Sequence, residues 1–127
     1  MRLYSYLDYL PVIIIGLVTI IRIVFLQKSG RQSEEYNCIG HSRKGSSDCY
    51  YKFRIKRRGD GYRCYIVRTP SFRGRSTAAH TIHYLTDSAG KYICFTAKIK
   101  KLQQAQTLCR TWADQAQKYI ETGRPFS

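Results

Sequence analysis

The sequence predicts an α+β fold: an N-terminal single transmembrane helix, then an antiparallel sheet of three to four strands packed on one long C-terminal amphipathic helix. Three observations predict it. Residues 10–26 are almost uniformly apolar, residues 50–58 alternate apolar and basic, and apolar residues recur at steps of three and four between Ile99 and Ile120. These features divide the chain into an anchor at 1–27, a polar linker at 28–48 and a basic hairpin–hairpin–helix module at 49–127.

The anchor reads LPVIIIGLVTIIRIVFL, Leu10 to Leu26, with Arg22 its single charge. As a helix it spans about 25 Å, against about 30 Å of bilayer hydrocarbon. Tyr4, Tyr6 and Tyr9 extend it with side chains that favour the headgroup level. Arg22 lies one turn from the end, where its stem can stay in lipid and its guanidinium reach the interface. Two other readings stand beside this one. The β-branched Ile13, Ile14, Ile15, Ile20, Ile21 and Ile23 also suit a buried core element, and a short apolar run can be the centre of a signal peptide. The exit LQKSG lacks a small-x-small pair, and Arg2 is offset by Asp8, which disfavours a cleaved signal. Lys28 and Arg31 flank the C-terminal end of the helix. The positive-inside bias therefore points to a single-pass membrane protein with a cytoplasmic C-terminal domain.

Charge is unevenly distributed. Residues 1–49 carry six Lys/Arg against four acids, net +2, whereas residues 50–127 carry sixteen against Asp60, Asp87, Asp114 and Glu121, net +12. A field of that sign favours nucleic acid, anionic lipid headgroups or an acidic protein. Five cysteines, an odd number without CxxC spacing, read as reduced thiols in the cytosol. In the reverse topology Cys38–Cys49 is the first pair to suspect.

The linker QKSGRQSEEYNCIGHSRKGSSD shows no apolar period. It holds one metal-ligating pattern, Cys38-x-x-His41 followed by Cys49, with Cys64 further on and His80-x-x-His83 as a second His pair. Zinc needs four convergent ligands, commonly in two tight pairs. Only the first pair is tight here, so no metal or other cofactor is expected.

In the module, Tyr51, Phe53 and Ile55 alternate with Lys52, Arg54 and Lys56, the signature of a half-buried strand. Gly59-Asp60-Gly61 is a hairpin turn, and Tyr62 to Thr69 the return strand, with Arg63, Tyr65 and Val67 opposite Cys64 and Ile66. Pro70 ends it. The loop SFRGRSTAAH carries Arg73 and Arg75. A second hairpin runs Thr81–Thr86 and Lys91–Phe95 around Asp87-Ser88-Ala89-Gly90. The helix follows from Ala97 to Thr122, capped by Thr96 and stopped by Gly123 and Pro125. Its stripe, with Trp112 at the centre, is expected to cover Phe53, Ile55 and Ile66.

The opposite sheet face then carries the anion-binding candidates Lys52, Arg54, Lys56, Arg58, Arg63 and Tyr65, joined by Arg73 and Arg75 from the loop. Hairpin strands followed by one helix, through YRCYIVR, KYICF and LQQAQTLCRTWADQAQKYI, resemble the sheet-plus-helix DNA-binding domains of the plant AP2 type and the arm-type domains of phage integrases. That resemblance, over residues 62–123, implies a sheet that enters the major groove, with Arg54, Arg63 and Tyr65 as the contacting residues. Catalysis is not expected. Asp60 and Asp87 both sit in turns, where Asp is favoured for backbone reasons. No phosphate-binding glycine loop is present, and no cysteine pairs with a histidine in a recognisable reactive setting. The expectation is a non-catalytic, membrane-anchored protein whose basic module binds nucleic acid. The alternative is a module docking on anionic lipid or an acidic protein.

Overall fold

The computed structural model describes residues 33–126. The expected anchor, its orientation and Arg22 lie outside the described residues, among which no helix is long and apolar enough to cross a membrane. Five antiparallel strands form one sheet in the order β1-β2-β3-β5-β4: β1 Ser33–Ile39, β2 Tyr50–Arg58, β3 Gly61–Arg68, β4 Tyr84–Asp87 and β5 Gly90–Ile93. A short helix α1, Ala79–Ile82, precedes β4, and a long helix α2, Leu102–Thr122, covers one face of the sheet. The α+β architecture with a C-terminal helix is as the sequence predicts, with one strand more than expected.

That additional strand, β1, lies inside the segment read as linker. SEEYNCI has little apolar content, but it meets a complementary neighbour. Glu35 stands opposite Arg54 in the register, and its carboxylate accepts a 3.0 Å bond from Lys52. On the other face Tyr36 packs against the core and Cys38 is buried within it. Residues 40–48 of the supposed linker are also folded. The Gly40 N–H donates to the Cys49 carbonyl at 2.8 Å. A Cβ at Gly40 would lie 2.7 Å from the Tyr51 ring and 3.0 Å from the Ala113 carbonyl, so only glycine lets this strand end approach α2 so closely.

Beyond Gly40, the loop is clasped to the end of α2 by Glu121, whose side chain is nearly fully buried. Its carboxylate accepts bonds from the Ser42 hydroxyl, from the Arg43 N–H at 3.0 Å and from the Ser46 hydroxyl at 2.8 Å. Lys44 Nζ adds a 3.0 Å bond to the Glu121 carbonyl. The Ser42 bond is the largest cause holding the carboxyl down at about 2; desolvation opposes it, and the Arg43, Ser46 and Gln117 bonds add to it.

The core forms where the alternation of β2 meets the stripe of α2. Tyr51, Phe53 and Ile55 are fully buried, and Trp112 stands edge-on to Phe53 at 6.0 Å and to Tyr51 at 6.2 Å. Ile66 packs at the margin. The two polar atoms drawn into this core are satisfied, the Tyr51 hydroxyl donating to Gln117 Oε1 at 2.9 Å and the Trp112 indole N–H to the Ile82 carbonyl at 2.8 Å.

Two boundaries differ from expectation. The helix begins at Leu102 instead of Ala97, because Ile99 is used differently: it is buried, and its carbonyl accepts the Tyr62 N–H at 2.8 Å. Lys98, Lys100 and Lys101 would also have placed three cations at a helix N-terminus, where the dipole disfavours them. The strand expected from Thr81 begins only at Tyr84, because α1, closed by His83 in the left-handed region at φ 54°, takes up Thr81 and Ile82. At its far end α2 stops as predicted, with Gly123 at φ 73° and its N–H bonded to the Tyr119 carbonyl at 2.8 Å.

Candidate functional site

Antiparallel pairing places partners on the same face, so the open face can be read from the register. Arg54 stands opposite Tyr65, Lys56 opposite Arg63, and Tyr65 opposite Tyr92. Five of the sequence-predicted residues, Lys52, Arg54, Lys56, Arg63 and Tyr65, therefore share the face that α2 does not cover. Arg58 joins them by folding back over the sheet, its Nε donating to the Tyr65 hydroxyl at 3.2 Å.

The face is organised around one acid. Asp87 Oδ2 accepts bonds from the Tyr65 hydroxyl at 2.6 Å and from Arg63 Nη1 at 2.7 Å, while its Oδ1 accepts the Ala89 N–H at 2.7 Å in the β4–β5 turn. The Tyr65 bond is the largest cause holding its carboxyl down at about 2; desolvation opposes it, and Ala89 and Arg63 add to it. Asp87 in turn raises the Arg63 guanidinium above its ordinary value. Cations then lie over rings: Lys56 5.5 Å and Arg58 5.8 Å from the centre of Tyr65, and Arg63 4.3 Å from that of Tyr92. As a result Tyr65 is only 3% exposed. Its ring offers no open surface for stacking a base; it orients the cations instead.

Arg68 and Tyr50 belong to this face and were missed. Strict alternation groups Arg68 with Cys64 and Ile66 on the covered side. A register shift between Lys52 and Phe53 turns it out, opposite Lys52, with its guanidinium 5.1 Å from the Tyr50 ring. Nothing in the alternation signals the bulge.

Arg73 and Arg75 lie elsewhere, at the C-terminal end of α2. Arg73, at φ 53°, donates to the Ser46 hydroxyl at 3.1 Å. Arg75 Nε donates to the Ile120 carbonyl at 3.0 Å, and its guanidinium lies against Gly123, where a Cβ would sit 2.5 Å from Nη1. It satisfies a helix-end carbonyl and complements the negative end of the dipole.

The metal pattern does not assemble. Cys38 faces the core with its thiol pushed up by burial, whereas His41 is exposed and engaged through its N–H with Asp114 Oδ1 at 2.8 Å. Among the described residues no three His, Cys, Asp or Glu side chains converge as metal ligands. Cys38 and Cys49 are not bonded to each other; all five cysteines are free thiols. His80 is exposed on α1, and His83 packs on the Phe126 ring at 5.4 Å.

Fold and site together define an α+β module with one sheet face sealed by a helix and the other open, cationic and aromatic. No protein-family model, curated protein or solved structure matches the chain.

Proposed function

We propose that this chain is a non-catalytic, membrane-anchored binding protein that holds nucleic acid on the open face of its sheet. The observation that supports it most is the row Lys52, Arg54 and Lys56 on β2, extended across the sheet by Arg63 and Arg68 and rigidified by the Asp87–Tyr65–Arg58 contacts. From Lys52 to Lys56 the strand extends about 13 Å, close to the ~12 Å width of a major groove that admits a β-ribbon. Glu35 and Asp87 each offset one of these cations, which leaves Arg54, Lys56 and Arg68 to meet phosphate directly.

The anchor is residues 10–26, and Lys28, Arg31 and the unpaired thiols support a cytoplasmic module. The test is titration of the full chain, held in a neutral nanodisc, with labelled duplex DNA over a range of salt. Neutralising three to four phosphates predicts a log–log slope of about −3. A slope near zero contradicts the reading, and equal affinity for DNA and for an acidic polypeptide would move this face to the acidic-protein alternative.

A further inference from the structure

The end of the sheet at which the chain enters β1 carries further cations, at the margin of the open face. Ser33 is level with Lys56, two residues before the β2–β3 turn. The segment leading into α2 reaches the same end, because the Ile99 carbonyl holds the Tyr62 N–H. Ser33 and Ile99 are thus three inter-strand steps apart, about 15 Å. Arg57, Lys98, Lys100 and Lys101 are all exposed there, and Asp60, bonded to Lys98 at 2.9 Å, is the acid of the turn. Among these cations stands one large apolar side chain, Phe95 at 54% exposure, while Leu85 lies opposite Tyr92 on the open face. Both line a cleft of about 320 Å³ that also takes in Arg58, Arg63 and Tyr92 of the open face, and Phe95 lines in addition a cleft of about 620 Å³ with Lys98, Lys101 and Leu108.

From this juxtaposition we infer that the sheet end formed by Arg57, Lys98, Lys100 and Lys101 with Phe95 rests on the anionic phospholipid surface of the bilayer that holds the anchor. The inference rests on the reading of residues 10–26 as bilayer-seated. Two features favour a membrane over other anionic partners. The chain leaves the anchor at Leu26 and enters the sheet at Ser33. The six residues between them can reach at most about 20 Å, so this end cannot move far from the headgroups. An exposed apolar side chain ringed by cations also matches an interface whose outer layer is anionic and whose next layer is hydrocarbon. The arrangement leaves Arg54, Lys56 and Arg68 directed along the sheet face and open to a second ligand.

The test uses the full chain reconstituted in phosphatidylcholine vesicles with and without phosphatidylserine, read by amide hydrogen exchange. The expected result is resistance to carbonate extraction, together with exchange several-fold slower over residues 57–62 and 94–101 only when phosphatidylserine is present. High salt and the triple change Lys98→Glu, Lys100→Glu, Lys101→Glu should each abolish that protection. The triple variant should still bind duplex DNA, and still lose that binding on Arg54→Glu with Lys56→Glu, which separates this surface from the nucleic-acid reading. Identical exchange in both vesicle types, or protection appearing on residues 52–54 instead, would overturn the inference. Carbonate extraction of the chain would overturn the anchor and the inference with it.

Discussion

Glu121→Ala removes the carboxylate that clasps the 42–46 loop to the end of α2, and its cost can be worked from the contacts. Three short bonds converge on that carboxylate, from the Ser42 hydroxyl, the Arg43 N–H and the Ser46 hydroxyl. Each is charge-assisted and would count for about 1.5–3 kcal/mol alone. They share one acceptor, and the freed loop can rehydrate, so the sum is not additive. A loss of about 3 kcal/mol is expected, which for a unit of roughly a hundred residues lowers Tm by about 15 °C. Thermal unfolding followed by Trp112 fluorescence measures it, with exposed Glu34→Ala as the control expected to stay within about 0.5 kcal/mol.

The pH dependence gives a second readout of the same group. The Glu121 carboxyl is depressed from its ordinary 4.5 to about 2. Its contribution is therefore complete above the ordinary value and is lost as pH falls through that interval towards about 2. Glu121→Gln should unfold at a temperature that depends less on pH across that window than the parent does. A Tm for Glu121→Ala within about 2 °C of the parent would refute the clasp and return residues 40–48 to the status of a linker.

Two further predictions concern the covered side of the sheet. Gly40→Ala should cost about 1–3 kcal/mol in denaturant unfolding, because its Cβ meets both the Tyr51 ring and an α2 carbonyl; a neutral substitution would contradict the close approach of β1 to the helix. Thiol alkylation of the native protein should begin at exposed Cys94 and continue more slowly at half-buried Cys49. Cys38, Cys64 and Cys109 should react only on unfolding, since burial pushes the Cys38 thiol up and Cys109 is held protonated against Cys64; early modification of Cys109 would contradict the packing of α2.

The parts of the fold legible in the sequence are those whose residues state their own environment. YYKFRIKRR has a period of two strong enough to fix both its strand and its faces, and the Trp112 stripe with Gly123 fixes most of the helix. Strand β1 was not legible, because Glu34, Glu35 and Asn37 are poor strand formers. Its place depends on Glu35 meeting Lys52 and Arg54 of β2, a tertiary effect that no local propensity carries. The start of α2 was hidden for a similar reason: Ile99 fits the helical stripe, and only the sheet reveals that its carbonyl is already engaged by Tyr62. At the site, the face of five candidates followed from alternation alone. The bulge that adds Arg68, the cations lying over Tyr65 and the use of Arg75 as a helix-end ligand all depend on contacts between distant segments.

The most direct test of the central claim is the affinity of the full chain for duplex DNA, at moderate salt in a neutral nanodisc, with and without Arg54→Glu and Lys56→Glu. Both side chains lie on the open face, and among the described residues neither forms an ion pair; reversing Arg54 sets like charges opposite Glu35, so a modest fall in Tm is expected with the fold retained. A loss of at least a hundredfold in affinity is expected, with circular dichroism unchanged and the salt slope reduced by about two. Binding that survives both reversals with its slope intact would contradict the claim that this face holds nucleic acid.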